Sequence, residues 1–134
     1  MALLVGAFLA LAVGLMATAV GLDRDRAFYP TVMIVIACLY VLFAAMGAST
    51  HVLVLESLVA ACFIALAVFG FRSSLWPVVI ALAAHGGFDL VHNGVISNPG
   101  VPSWWREFCS TYDVAAAGYL AWIIGRRGSR RTLG

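Results

Sequence analysis

Residues 75–96 read LWPVVIALAAHGGFDLVHNGVI. The run is long and apolar enough to cross a bilayer as a helix, yet it holds His85, Asp89 and His92. Their spacing is i, i+4, i+7. At about 100° per residue they fall within an arc of roughly 60°, stacked on one helix face. Gly86 and Gly87 leave the adjoining surface bare, so another helix or a ligand can come close. Each ionisable group inside a membrane costs about 2.5–3.5 kcal/mol on insertion scales, so a cluster of them marks a functional site by default.

The rest of the chain supports a membrane reading. Of its 134 residues 63% are hydrophobic and 10% charged, more apolar surface than a soluble domain of this size can hide. Further spans read as 2–22, 29–49 and 52–71. A fifth ends near 125 and begins somewhere between 104 and 111. The expectation is an all-α antiparallel bundle of five transmembrane helices. It forms one unit over residues 1–134, because the connections are too short to separate domains. Ala17, Thr18 and Ala19 resemble a signal-peptide cleavage site. No Lys or Arg precedes that apolar run, however, so it reads as a retained helix. Gly6, Ala10, Gly14 and Thr18 form a small-residue stripe suited to close packing within the chain. Cys38, Cys62 and Cys109 form no CxxC pair. Cys38 and Cys62 sit in apolar runs and read as packing residues.

All eight cationic residues are arginines. Arg24, Arg26, Arg72 and the tail arginines Arg126, Arg127, Arg130 and Arg131 fall at one end of the bundle, and Arg106 at the other. The positive-inside rule then puts the N-terminus outside and the C-terminus in the cytoplasm, and it makes the basic tail a topology signal rather than a nucleic-acid site. The loop SNPGVPSWWREF lies at the outer surface, with Trp104 and Trp105 in the interfacial aromatic belt. In this topology Glu56 sits roughly 6–9 Å below the outer boundary and Asp89 roughly 9–10 Å below it. Asp113 lies near the outer start of the fifth span. Three helices therefore bring carboxylates to one depth, where a cation, protonation or Arg106 must offset their charge.

Three readings of this cluster stay open. In the first, His85, Asp89 and His92 are metal ligands for Zn, Fe or Mn, with Glu56 or Asp113 as a further ligand or general base and Tyr112 as a proton donor. A metal-dependent enzyme on a lipophilic or periplasmic small molecule follows from it. In the second, carboxylates and histidines act without metal as acid and base on a lipid-soluble substrate, or relay protons. Phe88, Tyr112, Trp104 and Trp105 would then line the pocket. In the third, the cluster is structural, tying the helices together or docking a partner subunit or second copy. Tyr40 joins the cluster only if its helix faces it. Asn93 and Asn98 read as helix-ending residues, His51 and Glu107 as solvated. Asp23 and Asp25 read as pairing with Arg24 and Arg26 or with water.

Three stretches carry a family resemblance: LDRDRAFYPTVMIVIACLYVLFAAMG, AHGGFDLVH, and ISNPGVPSWWREFCSTYDVAAAGYLAW. Together they resemble a family of small bacterial inner-membrane proteins of unknown function with an HGxxDxxH segment. The resemblance implies a bacterial plasma-membrane location and no particular activity. His85 and Asp89, four residues apart on one of five helices, also resemble the sterol isomerase class. The HGxxDxxH pattern is similar to that of membrane carotenoid-cleaving oxygenases that use histidine-bound iron.

Overall fold

The structure, a computed structural model, describes residues 1–132, with side chains through residue 128. The tail residues Arg130 and Arg131 lie outside the described side chains. Five helices follow in order: α1 (Ala2–Val20), α2 (Phe28–Gly47), α3 (Thr50–Arg72), α4 (Trp76–Val95) and α5 (Trp105–Thr132). They form because hydrocarbon offers no partner for a free peptide group, so apolar segments of this length must bond internally. Their ends carry local stop and start signals. α1 stops at Gly21, whose φ of 88° is open to glycine and whose N–H bonds the Ala17 carbonyl. α3 starts after Ser49, which accepts from the Val52 N–H. Pro30 and Pro77 each fall in the first turn of their helix, where the missing N–H costs nothing.

Helices α1 to α4 are each long and apolar enough to cross a membrane. α5 is longer and less apolar, since its first half carries Arg106, Glu107, Ser110, Thr111 and Asp113. Leu4, Phe8, Leu58, Phe69, Ile80 and Val95 stand exposed on the outer face, a surface suited to hydrocarbon and costly in water. Cys38 and Cys62 lie on that surface too. Their expected place in the packing is thus corrected, because periodicity cannot tell a lipid-facing stripe from a core-facing one.

The helices do not pack in chain order. α1 lies along α5, α5 along α4, and α4 along α3, while α2 packs on α3 and touches α4. The small-residue stripe of α1 makes its seam through Gly6, Ala10 and Gly14, with Ala17 buried in place of the expected Thr18, which stands exposed. A Cβ at Gly6 would meet the Phe108 carbonyl and the Thr111 hydroxyl, and one at Gly14 would strike the Tyr119 ring. Gly86 does the same for α4, where a Cβ would lie 2.9 Å from the Ser110 carbonyl and 3.2 Å from Asp113 Cβ. Gly87 faces open space.

At the arginine-rich end, Asp23 is buried. It accepts from Arg127 at 3.2 Å and from Thr18 at 2.7 Å. Its partner is therefore not Arg24 or Arg26, because α5 reaches back across the loop between α1 and α2. At the other end the loop after α4 does not simply lie on the surface. Asn98 is buried and turns its amide inward.

Candidate functional site

His85, Asp89 and His92 all point into the bundle and are at most 1% exposed. The i, i+4, i+7 face continues the buried stripe Val78, Ala81 and Leu82, so the helix that buries its leucine also buries its histidines. Glu56 of α3 and Asp113 of α5 are equally buried. The structure thus gathers the polar groups of three helices, and it sorts them into two groups rather than one cluster.

The deeper group lies between α4 and α5. His85 Nδ1 is 2.7 Å from Asp113 Oδ2 and 3.7 Å from Asp89 Oδ2. Cys109, one turn before Asp113, turns its thiol toward Asp113 Oδ2 at 3.8 Å. His85, Asp89, Cys109 and Asp113 can each offer one donor atom, all within 4.8 Å of one another. This group is able to hold a metal ion. Tetrahedral bonds of 2.0–2.3 Å place donors about 3.5 Å apart, so the group needs to contract by about an ångström at its widest. Asp89 Oδ2 and Asp113 Oδ1 are buried without a hydrogen-bond partner, a costly state for a carboxylate oxygen.

The second pair lies nearer the α4 C-terminus. His92 Nε2 is 2.8 Å from Glu56 Oε1, which also accepts from Asn98 Nδ2 at 2.9 Å. The same amide reaches the Tyr40 carbonyl at 3.2 Å, pinning the loop to α2. Glu56 Oε2 and His92 Nδ1 have no partner. Tyr40 joins the two groups. Its hydroxyl donates to Asp89 Oδ1 at 2.6 Å, and its ring stacks on His92 with centroids 4.1 Å apart. Phe63 meets His85 edge-on at 4.8 Å and Phe88 meets His92 at 5.3 Å. Aromatic walls therefore separate both imidazoles from lipid.

His92, expected beside His85 and Asp89, is thus held by Glu56 on the far side of Tyr40. Tyr112 is half-buried beside the cluster, in the wall of a cleft. Arg106 makes no ion pair within 4 Å among the described residues, so it does not neutralise Asp113. The sequence left Cys109 unassigned, although its i, i+4 spacing from Asp113 was a usable signal. Asn98, read as a helix-ending residue, does turn the loop by accepting from the Gly100 N–H, but its amide also reaches Glu56, a contact that depends on how the loop folds back.

Three carboxylates and two imidazoles are enclosed with no arginine among them. With both histidines protonated the set still carries excess negative charge. A bound cation or a shared proton restores the balance. Fold and site together define the class: a helical bundle built for a membrane, with a buried histidine–carboxylate centre. Compared with known proteins, the chain matches no family model, no curated protein and no solved structure.

Proposed function

We propose that this chain is a multi-pass protein of the bacterial inner membrane that binds one divalent transition metal through His85, Asp89, Cys109 and Asp113. In this topology α5 crosses as a fifth span, the N-terminus faces outward and the C-terminus is cytoplasmic. The single observation that carries the metal reading is the grouping of those four donors within 4.8 Å. The two bare carboxylate oxygens inside the group support it. A donor set of one nitrogen, one sulfur and two oxygens suits Zn best, with Fe and Mn favoured less because of the sulfur. Held by these residues, Zn would supply Lewis-acid chemistry usable on a lipophilic or periplasmic small molecule. His92 and Glu56 stand outside the metal group. They serve as its neighbours through Tyr40.

Elemental analysis tests this directly. Protein purified without chelators is expected to carry about one Zn per chain. His85→Ala and Asp113→Asn should abolish it, and His92→Ala should leave it. Co(II) substitution should give a thiolate-to-metal band that Cys109→Ser removes. Metal-free protein of native fold would sink the reading.

A second reading rests on the two short histidine–carboxylate contacts, 2.7 and 2.8 Å. These are the geometry of metal-free acid–base chemistry or a proton relay. It expects Asp89→Asn to keep the fold and abolish turnover of a lipid substrate.

A further inference from the structure

Between α1, α5 and α2 the bundle is not closed. A cleft of about 540 Å³ lies there, walled by Leu9, Val32, Val35, Ile36, Leu39 and Phe108. It follows α2 from Phe28 to Leu39. That is about 16 Å at 1.5 Å per residue, close to the depth of one leaflet's hydrocarbon. Volume over length gives a mean cross-section of about 34 Å². A helix about 10 Å across is wider than this, so it would rest at the open mouth of the cleft, while an extended chain fits inside. Its wall is chiefly apolar, with Asp25, Thr31 and Tyr112 among the few polar side chains along it, so water finds few partners there. Leaving it void would forfeit dispersion contacts on both walls.

The end of the cleft near Phe28 opens on charge. Asp25 lines the cleft and also a second cavity of about 300 Å³, whose wall includes Arg24, Arg26, Arg127 and Trp76. Arg127 is engaged by Asp23, while Arg24 and Arg26 have no carboxylate within 4 Å among the described residues. Arg26 donates to the Ser73 carbonyl, and Asp25 Oδ1 accepts the Ala27 N–H. Among the described residues the pocket therefore offers two guanidinium groups without a carboxylate within 4 Å, Arg24 and the carbonyl-bonded Arg26, beside Asp25 and a tryptophan.

We infer that this chain binds one anionic phospholipid, its headgroup phosphate on Arg24 and Arg26 and one acyl chain in the cleft between α1, α2 and α5. Charge complementarity selects the headgroup, and the leaflet-length apolar slot selects the chain. The site stands whether or not the buried centre holds a metal.

Native mass spectrometry tests it on the full chain in mild detergent. The protein is offered equal amounts of phosphatidylglycerol and phosphatidylcholine with identical chains. An arginine at an anionic membrane surface contributes about fivefold, so retention should favour phosphatidylglycerol, whose phosphate has no choline cation beside it, by up to about 25-fold. Arg24→Gln should cut that preference about fivefold, and Arg24→Gln with Arg26→Gln should remove it. Arg24→Lys should keep it. Since Arg26 also bonds Ser73, the Arg24 variants alone decide the matter if the double variant does not fold. Val35→Trp should block the cleft and lower retention of both lipids together. Equal retention of the two lipids by the unaltered protein would overturn the inference. So would an unchanged preference in Arg24→Gln, a lipid-free dimer, or displacement of the lipid by inorganic phosphate alone.

Discussion

Tyr40 does two jobs with one side chain. Among the described residues its hydroxyl alone donates to Asp89 within 3.5 Å, and its ring covers His92. Tyr40→Phe keeps the ring and deletes the donor. It is expected to cost about 1–3 kcal/mol, because a buried carboxylate loses its partner, read from unfolding in detergent. The His92–Glu56 pair makes a second prediction at this scale. A double-mutant cycle with His92→Ala and Glu56→Ala should show about 1–2 kcal/mol of favourable coupling. Coupling near zero would mean the two side chains stand together without holding each other. Metal affinity, for its part, should weaken as pH falls. His85 and Cys109 must shed protons to ligate, so protons compete with the metal, as a titration at two pH values would show.

The helix seams depend on glycine, and the two glycines of α4 differ in a usable way. Gly86 sits against α5, with the Ser110 carbonyl 2.9 Å from where a Cβ would be, while Gly87 faces nothing within 4 Å. Gly86→Val should push α5 away, separate Asp113 from His85, and cost about 1–3 kcal/mol through overpacking. Gly87→Val should change neither stability nor metal content. Sequence alone could not rank them. Both stand beside His85 in the chain, and only the crossing of α4 and α5 makes one of them critical. The same crossing brings Cys109 to Asp113's partner.

For the whole molecule the property to test is direction across the membrane. Ser73 and Ser103 are both exposed, and the topology proposed above would put Ser73 on the cytoplasmic side and Ser103 outside. In a background with Cys38 and Cys62 replaced by serine, an impermeant maleimide added to intact cells should label Ser103→Cys and not Ser73→Cys. Labelling the other way round would invert the topology and move the buried centre to the cytoplasmic half. The exposed leucines, valines and phenylalanines of α1, α3 and α4 need lipid around them in either orientation.

By itself the sequence determined the helices and the polar face of α4. Runs of apolar residues about twenty long have one way to satisfy their peptide groups in hydrocarbon, and the i, i+4, i+7 spacing of His85, Asp89 and His92 is a property of one helix alone. The polar groups of α3 and α5 were also legible, since Glu56 and Asp113 stand in apolar surroundings. Which carboxylate meets which histidine was decided only by the tertiary structure. A rotation of α5 by one residue, about 100°, would take Asp113 away from His85 without altering any local pattern. The choice rests on how Gly6, Gly14 and Gly86 let the backbones close. Packing order is a property of side-chain surfaces meeting in space, and so are the cleft beside α2 and the exposure of Cys38 and Cys62.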